Sequence, residues 1–158
     1  MKNDSIKQQG RGMAAGLLGG LILGMGVLSS ASAADTPDTL AGVKIVSAEE
    51  ALKMAGRGVP LIDTRVATEY ADKTIKGAKS VPYREKSAKE VKFDRSKDEF
   101  DLSKLPSDKT APLVFFCNSG ECWKSYKASV VARDAGYKQI HWLRGGMPEW
   151  VAKGLPTQ

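Results

Sequence analysis

The run Pro112-Leu113-Val114-Phe115-Phe116 ends abruptly at Cys117. Consecutive apolar residues with no polar alternation suit a strand buried on both faces, as in a parallel sheet. The residues after Cys117 are small and polar, Asn118-Ser119-Gly120-Glu121, and then Trp123, Tyr126, Val130 and Val131 recur at helical spacing as far as Gly136. A buried strand that passes through a short loop into a helix restricts the chain strongly, because parallel neighbours must be joined by crossovers. It predicts an α/β domain: a small parallel β-sheet with helices on both faces.

Other segments fit that frame. Val43–Val46 reads as a brief strand, and Ser47 with Glu50 forms a capping box opening a helix over Ala48–Ala55, stopped by Gly56. Pro60–Asp63 is a second buried strand ending in Asp63-Thr64-Arg65, followed by a helical segment around Ala67–Ala71 and a short strand closed by Pro82. Gln139–Leu143 reads as another strand, Gly145-Gly146 as a tight turn, and Pro148–Lys153 as a last helix with proline in its first turn. Residues 84–111 are rich in Lys, Asp and Glu, with Val91, Phe93, Phe100, Leu102 and Leu105 too sparse to set a period. They are expected to be an insertion with one short helix, packed by its aromatics.

The first 33 residues read differently. Lys2, Lys7 and Arg11 make a basic start, Gly12 to Ala34 carries no charge, and an apolar centre gives way to Ser29-Ser30-Ala31-Ser32-Ala33. That order is a secretory signal with an A-x-A-like cleavage site, so residues 1–33 are expected to be a signal peptide, 34–42 a linker and 43–156 the domain. An uncleaved membrane anchor is the alternative. Cleavage leaves roughly 125 residues, a common domain size, and implies a periplasmic protein free of the membrane. The net charge of +6 falls by two, because three bases and one acid are lost. The remaining lysines are interspersed with acids and read as a solvated surface, not the basic, aromatic-interleaved stripe of a nucleic-acid site. Two cysteines and one histidine cannot furnish an ordinary four-ligand zinc site, and no cofactor motif is present.

Cys117 carries the chemistry. Reactive sites in open α/β folds lie beyond the carboxyl ends of strands, and unpaired amides at a helix start stabilise an anion. A thiol placed there ionises more readily than a free cysteine. Ser119 and Gly120 let the loop curl and expose amides. Lys124 adds positive charge, and Glu121 opposes an incoming anion. Lone His141, beside Trp142, reads as a core or edge residue, and Trp123 either packs or walls the thiol pocket.

Three pieces in order carry a family resemblance: Leu61-Ile62-Asp63-Thr64-Arg65 with Glu69-Tyr70 and Ile75-Lys76-Gly77-Ala78; Cys117-Asn118-Ser119-Gly120; and Leu143-Arg144-Gly145-Gly146 with Trp150 and Gly154-Leu155-Pro156. Together they resemble the opening, active-site and closing signatures of rhodanese-like domains, over about residues 43–156. The resemblance implies sulfurtransferase chemistry. Cys117 would take sulfane sulfur from a small donor, thiosulfate or a persulfide, and pass it to a thiol, cyanide or protein-thiol acceptor. Asn118, Ser119, Gly120, Glu121, Cys122, Trp123 and Lys124 would form the substrate loop, and Asp63 and Arg65 would support the sheet end.

Two departures matter. Thr74 stands where many members carry histidine, and Glu121-Cys122-Trp123 replaces the usual loop ending, as in a subset of exported bacterial relatives. A thiol redox protein using Cys117 and Cys122, and a non-catalytic binding module, therefore stay open. A bridge needs Cα atoms roughly 4.4–6.8 Å apart, a spacing that a loop curled around an anion need not offer. A cysteine phosphatase is disfavoured, since the sixth residue after Cys117 is Trp123 and not arginine.

Overall fold

The computed structural model describes residues 34–158, so the expected signal peptide and its cleavage site lie outside the described residues. Among the described residues, no helix is long and apolar enough to cross a membrane. The elements run β1 (Val43–Ile45), α1 (Ala48–Gly56), β2 (Leu61–Asp63), α2 (Ala67–Asp72), β3 (Lys79–Ser80), β4 (Pro112–Phe116), α3 (Trp123–Asp134), β5 (Gln139–Leu143) and α4 (Gly146–Ala152). The strands form one parallel sheet in the order β1-β5-β4-β2-β3, with the apolar run β4 at its centre.

Strand alternation divides β4 between two cores. Val114 and Phe116 join Leu61, Leu143, Ala51 and Met54 of α1, and Met147 and Trp150 of α4. Leu113 and Phe115 face the other way, against Ile62, Ile140 and Ala128, Val131 and Ala132 of α3. Helices therefore cover both faces, as the unbroken apolar strand requires.

The capping box of α1 is present: Glu50 N donates to Ser47 Oγ and Ser47 N donates to the Glu50 carboxylate. Gly56 does not stop α1 but is its last residue; the chain turns at Gly58, where φ is +83°. The last helix begins at Gly146, which puts Pro148 in its first turn.

Residues 34–42 are a correction to the sequence reading. They are not a free linker but a strap across the domain. Leu40 is buried with Trp123, Tyr126 and Trp142, and Thr36 is only 2% exposed. The 84–111 segment also differs from expectation, having two 3-10 turns, Arg95–Lys97 and Leu102–Lys104, in place of one short helix. Asp94 and Asp101 start these turns by accepting from the amides two residues on. Phe93, Phe100, Leu102 and Leu105 pack on the α3 side of the sheet, whereas Val91 is exposed.

Candidate active site

Cys117 follows β4 directly, at the carboxyl end of the central strand, and is only 1% exposed. Backbone contacts hold it there. Met147 N donates to Cys117 O at 2.9 Å, and Thr64 donates to Phe116 O through both its amide and its hydroxyl. The close approach of α4 explains Gly146. Its φ is +57°, and a Cβ there would fall 2.2 Å from Cys117 O, so no other residue fits without moving the loop.

Asp63 and Arg65 form a buried pair at the end of β2, with Arg65 Nη2 2.7 Å from Asp63 Oδ2. Thr74 donates to the same carboxylate, and Arg65 donates onward to Lys73 O. The threonine found where many relatives have histidine is thus an internal hydrogen-bond donor. Each polar group in this corner has a partner, as burial demands.

The loop 118–121 is tied at its first residue: Asn118 Nδ2 donates to Glu69 Oε1 at 2.7 Å, which links the loop to α2. Among the described residues, the amides of Asn118, Ser119, Gly120 and Glu121 find no acceptor and are available to an anion. Cys122 is the N-cap of α3 and supplies no side-chain hydrogen bond to it. The second cysteine therefore sits at the start of a 12-residue helix, at the positive end of its dipole.

The two cysteines are bridged, with Cα atoms 6.2 Å apart. The loop does permit the disulfide that its spacing left open. In this state Cys117 is sealed, while Cys122 is half-buried at a cleft of about 280 Å³. Glu121, Trp123 and Lys124 also line that cleft, together with Asn118 and Ser119. Glu85 and Lys89 join them from the 84–111 segment. Sequence reasoning missed this pair, because no local pattern marks an insertion as part of a site. Trp123 does wall the pocket; it is buried, stacks edge-on to Tyr126 and donates from Nε1 to Ala34 O.

The strap reaches the loop from behind. Thr36 donates to Gly120 O from its amide at 2.8 Å and from Oγ1 at 2.6 Å. Arg144, the residue after β5, donates to Thr36 O and Pro37 O and pairs with Asp38. Its guanidinium comes within 2.9 Å of the place a Cβ on Gly120 would take, so a larger residue there would push the end of the Arg144 side chain aside.

On the other side, α3 carries Lys127, which is fully buried although the sequence reading put the lysines on a solvated surface. Its Nζ donates to Ser87 and lies 2.9 Å from Glu85 Oε2, close but not aligned as a hydrogen bond. Asp98 lies 3.8 Å away and accepts from Ser87, Lys86 N and Tyr83. Burial opposes ionisation of Asp98, but these hydrogen bonds outweigh it and lower its pKa to about 2. Burial, reinforced by the Asp98 carboxylate, pushes the Tyr83 hydroxyl strongly up.

His141 lies on the interior strand β5, half-buried, and lines a separate cavity of about 300 Å³ with Lys44, Lys53 and Arg57. That cavity includes Pro112 and Gln139, at the amino ends of β4 and β5, remote from the cysteines. Trp142 and Trp150 are core residues, their indole nitrogens donating to Ser125 Oγ and Pro156 O.

A buried cysteine at the carboxyl end of a central parallel strand, bridged across a loop of free amides to a second cysteine at a helix start, defines a cysteine-centred α/β protein. A model of the rhodanese-like domain matches residues 47–153, and the chain belongs to that family. It is 27% identical over 118 residues to the thiosulfate:glutathione sulfurtransferase of Saccharomyces cerevisiae, covering 73% of this chain and 83% of that protein. It is 33% identical over 99 residues to the HTH-type transcriptional regulator Rv0324 of Mycobacterium tuberculosis, covering 63% of this chain and 37% of the regulator. The solution structure of the polysulfide-sulfur transferase homodimer from Wolinella succinogenes superposes with a TM-score of 0.53 at 25% identity, covering 75% of this chain and 80% of that one.

Proposed function

We propose that the protein is a sulfurtransferase working through a persulfide on Cys117. The reduced Cys117 thiolate attacks the outer sulfur of thiosulfate or of a persulfide. The bond to the sulfite or thiolate leaving group breaks, and that group departs with the electron pair. The cysteine persulfide, held among the amides of residues 118–121, then yields its outer sulfur to a thiolate or cyanide, and Cys117 returns as thiolate. Two easier transfers replace one, with ping-pong kinetics. The observation that carries this reading is the position of Cys117 between the end of β4 and a loop whose amides lack acceptors. Thiosulfate and polysulfide chemistry in the named relatives supports it.

The bridge to Cys122 means that the sulfur acceptor is a reduced form, reached only after a thiol has opened the disulfide. The same bridge favours a second reading, a thiol–disulfide oxidoreductase. Intact mass spectrometry decides between them. Reduced Cys122→Ser protein treated with thiosulfate gains one sulfur atom and loses it to cyanide if the first reading holds. No sulfur bound to that variant, while the wild type cycles between dithiol and disulfide, supports the second. We further propose that the protein works in the periplasm after removal of residues 1–33. N-terminal sequencing of envelope fractions, yielding a chain that starts near Ala34, tests that; retention of Met1 in the membrane fraction refutes it.

A further inference from the structure

The bond between Cys117 and Cys122 places the second sulfur within bonding reach of the first, at the very atom that would carry the persulfide. We propose that Cys122 is a resolving thiol, and that the protein also reduces sulfane sulfur to sulfide with a dithiol as electron source. This rests on the Cys117 persulfide proposed above. In the persulfide, the Cys122 sulfur attacks Cys117 Sγ. The bond from Cys117 Sγ to the outer sulfur breaks, and the Cys117–Cys122 disulfide forms. The outer sulfur leaves as hydrosulfide, taking the electron pair and the Cys122 proton. The two cysteines are together oxidised by two electrons, and the sulfane sulfur is reduced by two.

Three features favour this route. Cys122 is the N-cap of α3, at the positive end of that helix's dipole, which favours its thiolate over the thiol. Hydrosulfide is a less basic leaving group than an alkyl thiolate, which speeds its departure. The product disulfide is also the state in which the structure stands, with Cys117 sealed and only Cys122 facing the cleft. An external dithiol therefore attacks Cys122 Sγ from that cleft and expels Cys117 as a thiolate into the amide loop. The second thiol of the reductant then releases Cys122, leaving the reductant as a disulfide and both cysteines reduced.

The test uses the protein reduced with dithiothreitol, freed of reductant under argon and given one equivalent of thiosulfate or, in parallel, glutathione persulfide. Sulfide is measured by bimane trapping, and the alkylated protein is weighed intact. The expected result is release of one equivalent of sulfide by the wild type, with both cysteines refractory to alkylation. Cys122→Ser, and Cys122→Ala as a second variant, should release none and should accumulate a protein one sulfur atom heavier. A wild type that holds the extra sulfur with Cys122 still alkylatable overturns the resolving role and leaves the persulfide reading standing. If neither donor adds sulfur to folded Cys122→Ser, Cys117 is not a sulfur acceptor and both proposals fall.

Discussion

The two ends of the loop, Cys117 on the sheet and Cys122 on α3, are held by different means. Cys117 is fixed by backbone: β4 runs into it, Thr64 and Met147 bond the carbonyls around it, and Gly146 lets α4 come close. Cys122 sits on a helix whose position depends on side chains from two segments remote in the chain. The strap reaches it through Thr36, Arg144 and Trp123, and the 84–111 segment reaches α3 through Glu85, Ser87 and Asp98 around Lys127. One end is held by local backbone contacts and the other by side chains brought from elsewhere in the chain.

The sharpest test of this contrast is Cys117→Ser. Sulfite release from thiosulfate and thiocyanate formation should both fall below detection, because a serine hydroxyl forms no persulfide. Sulfite release from pre-reduced Cys122→Ser should persist, and equal loss in the two variants would abolish the distinction between the ends. Lys127→Ala comes next. It leaves Glu85 and Asp98 buried without their cation, and breaking such a pair costs about 3–5 kcal/mol. Chemical denaturation should show that loss together with weaker protection of the α3 amides against exchange. A loss below about 1 kcal/mol, the range of surface pairs, would mean that the cluster does not anchor the helix.

Asp98→Asn should be milder, about 2 kcal/mol for lost charge-assisted hydrogen bonds. Its pH dependence has a definite sign. The folded-state pKa of Asp98 is depressed to about 2, so its stabilisation is full above the unfolded value of about 3.9 and disappears as pH falls through about 2. The gap between wild type and variant should close over that window; a gap constant down to pH 2 would assign the effect to packing. The smallest effect concerns the rim. Glu121 and Lys124 both line the cleft, Glu121 exposed and Lys124 half-buried. Glu121→Gln should raise kcat/KM for thiosulfate several-fold, Lys124→Ala should lower it, and both effects should shrink at 0.15 M salt, where screening acts over about 8 Å. Unchanged thiosulfate kinetics in Glu121→Gln at low salt would show that the carboxylate does not face the donor.

Much was legible wherever neighbours in sequence cooperate. The apolar run of β4, the Ser47–Glu50 box, the Asp63–Arg65 pair two residues apart and Cys117 at a strand end are local patterns, and local physics decides them. The polar residues of α3 give no such guide, because Ser125, Lys127 and Ser129 look solvent-facing by composition yet are all buried. Residues 34–42 and 84–111 gave no such pattern, since short polar stretches with scattered aromatics acquire a conformation only against a surface already built.

By itself, then, the amino-acid order determined the parallel α/β frame and put Cys117 at the end of its central strand, because hydrophobic periodicity and capping act within a few residues, while three motifs in order carried the resemblance to the family. The tertiary structure alone decided that Cys122 meets Cys117, that Lys127 is buried, and that Thr36, Glu85 and Lys89 belong to the site. Those contacts join residues up to 84 positions apart. Nothing in the local chain encodes such a pairing; it exists only once the sheet has brought both partners to the same edge.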